Sequence, residues 1–178
     1  TYAVIAQDLK TAIEIMPNSA YNTVVSGHAT RWAAQALMAR VFLFYTGYYN
    51  KTELPLTDGG SVSKAQVIQW LEDCIANSGH GLIDDFRNLW PYSNKFTKTD
   101  YPYATNNNLQ YAGEGHKETV FAVKFGTLAD WGDTYILGYT NQLNLHFGLR
   151  SNNGQANTFP FGQGWGAGPV NSKLWNAN

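Results

Sequence analysis

Residues 27–50 read GHATRWAAQALMARVFLFYTGYYN, and this run of small, bulky apolar and aromatic residues decides the fold. Ala29, Ala33, Ala36, Leu37, Arg40, Val41 and Phe44 recur at three- and four-residue steps, the spacing that lines side chains along one face of an α-helix. Alanines at 29, 33 and 36 keep that face low enough for a neighbouring helix to approach closely. The preceding segment supplies a partner, since Ile5, Leu9, Ala12, Ile13 and Met16 make an apolar stripe that Pro17 and Asn18 end. The two segments predict an αα-hairpin.

Working outward, LPLTDGG at 54–60 is a turn-rich link, and SKAQ at 63–66 is a capping box that opens a third helix. Val67, Trp70, Leu71, Cys74 and Ile75 follow at helical spacing, and Gly79 and Gly81 stop the run. LIDDFRNLW at 82–90 predicts a short helical turn, capped by its aspartates and closed by Pro91. Residues 91–115, rich in Tyr, Asn and Thr, read as an irregular surface loop. ETVFAVKF at 118–125 switches to β-branched and aromatic residues and predicts one strand, with a partner still to be found. Beyond Gly126 the chain is loop-dominated until NSKLWNAN at 171–178 starts another helix. The expectation is a mainly α chain with long irregular loops and a minor β element: a helical scaffold over 1–90 and a loop-rich region over 91–178. A helical period already running at Thr1 and a helix only starting at the other end read as an internal portion of a longer protein.

Composition narrows the function classes. With 178 residues, 44% apolar and 14% charged, the chain can bury one substantial core and is not a disordered segment. Twelve basic residues nearly balance thirteen acidic ones and are scattered, so no electrostatic footprint for nucleic acid is present. The longest apolar run, residues 41–45, is far too short to cross a bilayer. Cys74 is alone and reads as a small buried hydrophobe, which excludes a disulfide framework. His28, His80, His116 and His146 are widely spaced and read as surface or helix-end residues rather than metal ligands. Six Trp and eleven Tyr exceed what such a core needs, and many of them fall in the polar second half.

The order of these segments resembles the SusD/RagB family of nutrient-binding outer-membrane lipoproteins of the Bacteroidota. The first motif is carried by Gly27, Ala29, Thr30, Ala33, Ala34, Ala36, Leu37, Ala39, Arg40, Val41, Phe42, Leu43 and Phe44. The second is carried by Gly81, Leu82, Phe86, Leu89 and Trp90, and the third by Glu118, Thr119, Val120, Phe121, Ala122 and Val123. The last is Gly164, Trp165 and Gly166, followed by Pro169 and Leu174. His28 and Gly81 depart from the residues usual at those points. The resemblance implies tetratricopeptide-like helical hairpins of the α-α superhelix type, with loops between them building a ligand face. It also implies non-catalytic capture of oligosaccharides, or of peptides in some members, for a SusC-like TonB-dependent transporter. The implied location is the surface-exposed side of the outer membrane, through a lipid anchor outside this sequence, with no cofactor.

Sugar rings present apolar C–H faces to flat aromatic side chains and hydroxyl groups to polar ones. Trp131, Asp133 and Tyr135 are close enough in sequence to form one edge of such a site, and Arg150, Asn152 and Asn153 supply donors and acceptors. Trp165 sits between glycines that permit turns either exposing its indole or burying it. The alternative for these aromatics is packing of the loops onto the scaffold, which makes the protein a helical interaction scaffold. Trp32, Trp70, Trp90 and Trp175 read as core or scaffold residues. A glycoside hydrolase using Asp84, Asp85, Asp130 or Asp133 is the least favoured reading, because adjacent aspartates are more often caps and turns.

Overall fold

Two long helices form as the periodicity predicts: α1 over Tyr2–Ile15 and α2 over Arg31–Tyr49. The computed structural model describes residues 1–24, 27–90, 102–123, 166–168 and 171–177. Thr30 caps α2, its hydroxyl accepting from the Ala33 amide at 3.1 Å, and Asn50 ends the helix at φ 51°, a left-handed conformation that asparagine tolerates better than most residues. The pair is antiparallel. The Tyr2 ring at the start of α1 meets Phe44, Tyr45 and Tyr49 at the end of α2, with centroids 6.1, 5.2 and 5.8 Å away.

The face that α2 buries overlaps only in part with the one its spacing predicts. Ala33 is buried and Val41 packs against the core as expected, together with Trp32, Ala34, Gln35, Met38, Ala39 and Phe42, whereas Leu37 is 47% and Phe44 54% exposed. A helix that is apolar on nearly every side satisfies the three- and four-residue rule along more than one stripe, so spacing alone does not pick the face. On α1, Ala6 and Ile13 are buried, and Tyr2, Leu9 and Ala12 pack against the same core, while Ile5 turns outward. Trp32 is fully buried and donates its indole N–H to the Ser19 carbonyl at 2.8 Å, tying the connection between the helices to their core.

The link after α2 is a small hairpin rather than a loop. β1, Leu54–Pro55, pairs antiparallel with β2, Ser61–Val62, with Leu54 opposite Val62. The Gly60 amide donates to the Asp58 carboxylate at 2.8 Å, and the Leu56 amide donates to the Gly60 carbonyl at 2.8 Å. Leu54, Leu56 and Val62 thereby enter the core formed with Ala6, Ile13, Met38 and Phe42. The minor β element therefore lies at 54–62. The strand expected over 118–125 makes no ladder across residues 118–123, where the chain finds no strand partner among the described residues.

α3 spans Lys64–Asn77 and carries the predicted capping box. The Ser63 hydroxyl accepts from the Gln66 amide at 3.3 Å, and the Gln66 side chain accepts from the Ser63 amide at 2.9 Å. Val67 and Cys74 are buried, Trp70 and Leu71 half-buried, and Ile75 exposed. Burial pushes the Cys74 thiol up from its ordinary range, which keeps it protonated and unreactive. Gly79, at φ 77°, turns the chain out of the helix.

One compact unit consists of Thr1–Asp84 and Glu114–Val123. The second unit consists of Asp85–Gly113 and Lys124–Asn178. Within it, Asp85 caps a 3₁₀ helix at Phe86–Leu89 and grips the Arg87 guanidinium through both oxygens, at 3.0 and 2.8 Å. That hydrogen-bonded grip holds the Asp85 carboxyl below its ordinary range. Part of the expected loop at 91–115 is helical, since α4 spans Pro102–Asn106, and Ala104 and Leu109 are buried. The expected last helix forms as α5, Ser172–Trp175, capped by Asn171. Trp175, read as a scaffold residue, is 72% exposed, as a helix of this length has one turn and little face to bury it.

The two candidate faces of α2 separate in a stability experiment. Met38→Ala is expected to lower the urea unfolding free energy by about 3 kcal/mol. Leu37→Ala should cost about 1 kcal/mol or less, because a half-exposed side chain leaves no cavity. Equal costs would return Leu37 to the core.

Candidate functional site

The outward alanine stripe of α2 opens onto a groove of about 730 Å³ within the first unit. Leu9 and Ala12 of α1, with Met16 just past its end, form one wall, and Ala33, Ala36, Leu37 and Arg40 of α2 form the floor. The other wall is the strap of Glu118, Thr119, Val120 and Phe121, which comes back from far along the chain. Sequence spacing finds the floor and expects a neighbouring helix on it. It misses the strap, whose β-branched residues read as a strand although they stand unpaired along the helices.

The strap is held by the segment that leaves α3. The Lys117 carbonyl accepts from the Gly81 amide at 3.1 Å and lies 2.9 Å from His80 Nδ1. A carbonyl only accepts, so Nδ1 is the protonated nitrogen in this arrangement. The Ile83 amide donates to the Glu118 carboxylate, and Lys117 Nζ lies 3.5 Å from Asp84. His80 stacks on Tyr21 with centroids 4.5 Å apart, and both residues hydrogen-bond the fully buried Ser78. At the turn itself, His116 accepts the Glu118 amide on Nδ1 at 3.2 Å, which leaves Nε2 to donate to the Thr119 hydroxyl at 3.2 Å. Both histidines thus serve as hydrogen-bonding joints.

Beneath the floor, a polar lock ties α2 to α3. Asp73 accepts from Gln35 Nε2 at 2.9 Å, Asn77 Nδ2 at 2.8 Å and Arg31 Nη2 at 3.3 Å. These hydrogen bonds, that from Gln35 first, hold the Asp73 carboxyl below its ordinary range against the opposing effect of burial. Gln35 is fully buried, and a carboxylate accepts only, so its amide nitrogen faces Asp73. Its oxygen is left without a protein partner among the described residues.

Chemically, the groove suits apolar side chains. Thr30, Arg40, Glu118 and Thr119 are its polar rim, and it lacks the dense array of amides and hydroxyls that a sugar needs. Trp131, Asp133, Tyr135, Arg150, Asn152, Asn153 and Trp165, the residues expected to touch ligand, all lie outside the described residues. Among the described residues no three His, Cys, Asp or Glu side chains gather as a metal site would require. No described helix is long and apolar enough to cross a membrane.

The geometry defines a mainly helical scaffold with an apolar groove. A SusD-like family model, described as starch-binding associating with outer membrane, matches residues 1–43, which comprise α1 and α2 as far as Leu43. No curated protein and no solved structure matches the chain.

Two outcomes follow from this geometry. Asp73 binds its proton less tightly folded than unfolded, so its stabilisation is present above about pH 4 and fades as pH falls through the lower folded value. The stability gap between the wild type and Asp73→Asn in urea should therefore be full near neutral pH and shrink below about pH 4. A gap that stayed constant across that range would remove the lock. The groove is expected to enhance the fluorescence of an anilinonaphthalene sulfonate dye, and Ala36→Trp, which fills the floor, should abolish most of that enhancement without lowering helicity by circular dichroism.

Proposed function

We propose that the protein captures oligosaccharides at the outer membrane and passes them unaltered to a TonB-dependent transporter, as a SusD-like lipoprotein does. The observation that carries this reading is the family match over residues 1–43, whose model is described as starch-binding and outer-membrane associated. The later motifs at 81–90, 118–123 and 164–174 support it, because they follow the first in the order the resemblance requires. In this reading the helical hairpin is the scaffold. Trp131, Tyr135 and Trp165 stack on sugar faces, while Asp133, Arg150, Asn152 and Asn153 hold hydroxyl groups at the rim.

The apolar groove favours a second reading, peptide capture by the same kind of protein. Leu9, Leu37 and Phe121 offer surface to hydrophobic side chains and little to a sugar.

Calorimetric titration with oligosaccharides and with apolar peptides separates the two. Saturable glycan binding without product formation is expected, and Trp131→Ala with Tyr135→Ala should weaken it roughly tenfold. Binding to peptides alone would replace the first reading with the second, and turnover of the glycan would overturn both.

A further inference from the structure

The start of α1 and the end of α2 carry five clustered aromatic rings, three of which core packing does not absorb. Phe44 is 54% exposed, Tyr48 73% and Tyr49 46%. They are nevertheless fixed in place by one another. Tyr2 and Tyr45 pack partly buried against the core and brace Tyr49 at 5.8 and 5.1 Å between centroids. Phe44 and Tyr48, one helical turn apart, lie within 6° of parallel at 5.6 Å, and Tyr2 is tilted only 21° from Phe44. Tyr49 closes the cluster edge-on to Tyr48, at 81° and 4.9 Å. Gly47 lies between the exposed rings in sequence, and a Cβ added there would meet nothing within 4 Å, so the surface beside them is open.

We propose that this cluster is a second carbohydrate-contact surface, which stacks on the sugar rings of a polysaccharide. The inference rests on the glycan-binding reading above and places a contact on the helices, apart from the loop residues named there. Three features select this occupant. Four of the five rings are tyrosines, so the patch joins apolar faces to hydroxyl groups, as a sugar surface does, whereas a purely apolar partner would gain nothing from the phenols. None of these four hydroxyls hydrogen-bonds a protein group among the described residues, which leaves them available to sugar hydroxyls. The mutual bracing also removes side-chain freedom before binding, so little ordering cost remains. Phe44 and Tyr48 form one near-parallel pair that Tyr49 extends along the end of α2, a width that favours polymers over monosaccharides.

Affinity electrophoresis in native gels cast with soluble starch, a β-glucan or a mannan tests this directly. The wild type should be retarded by at least one of the three. Phe44→Ala with Tyr48→Ala should weaken that retention roughly fivefold, while Tyr48→Phe, which keeps the ring, should retain most of it. Ile75→Ala, on the exposed side of α3, should change nothing. Circular dichroism establishes that the variants are folded, and Tyr48→Ala alone serves if the double variant is not. A folded variant retarded like the wild type would overturn this inference and assign the patch to a protein partner, leaving the glycan-capture reading intact. A wild type retarded by none of the three polysaccharides, and binding no oligosaccharide in the titration, would overturn both.

Discussion

The first unit depends on how closely α1 and α2 can approach. Ala6 of α1 and Ala34 and Ala39 of α2 are all buried, and residues without side chains beyond Cβ bring two helix axes together without leaving space between them. Ile13, Met38 and Phe42 then fill the volume on either side of that contact. Ala29, just before α2, and Ala36 line the groove on another side of the helix, with the buried Ala33 at its base, and no helix among the described residues closes over them. The same small residue type thus produces a tight interface on one side of α2 and a groove on the other. The difference between them is which large residues lie alongside.

Apolar packing does not by itself fix the register of α2 against α3. The Asp73 lock does so, because a buried glutamine and an arginine converge on one carboxylate and would lose those partners if either helix slid by a turn. An ion pair with both side chains about one-quarter exposed contributes little by itself, so its value lies in geometry. The hairpin at 54–62 completes the arrangement, since Leu54, Leu56 and Val62 seal the core against α1 and α2.

Local signals in the sequence were faithful. The Ser63–Gln66 capping box and Asp85 each start a helical segment as the sequence predicts, and Thr30 and Asn171 cap theirs in the same way, because a cap is a contact between neighbours in the chain. Apart from α4, which forms inside a segment read as loop, the errors concern contacts between distant residues. Spacing on α2 could not choose among its apolar stripes, and the ETVFAV segment could not reveal that it would lie beside helices instead of pairing in a sheet. Of the candidate site, the floor of the groove was legible as an alanine repeat. The strap was not, since nothing near residue 118 signals that it would return to α1. The aromatic cluster was present in FLFYTGYY, but the exposure that sets it apart from a core depends on what the rest of the fold leaves uncovered.

The strap also gives the groove walls of unequal strength. Its other wall and its floor come from helices adjacent in sequence, whereas the strap must close a loop of more than thirty residues back to the end of α3 before it contributes a contact. The strap is held through a few hydrogen bonds at Gly81, Ile83 and His80 rather than through the core, so releasing it costs less than separating the helical hairpin. The groove can therefore widen while the helices stay folded. Amide exchange at Gly81 and Ile83, compared with that of Met38, reads this opening as a separate event from global unfolding.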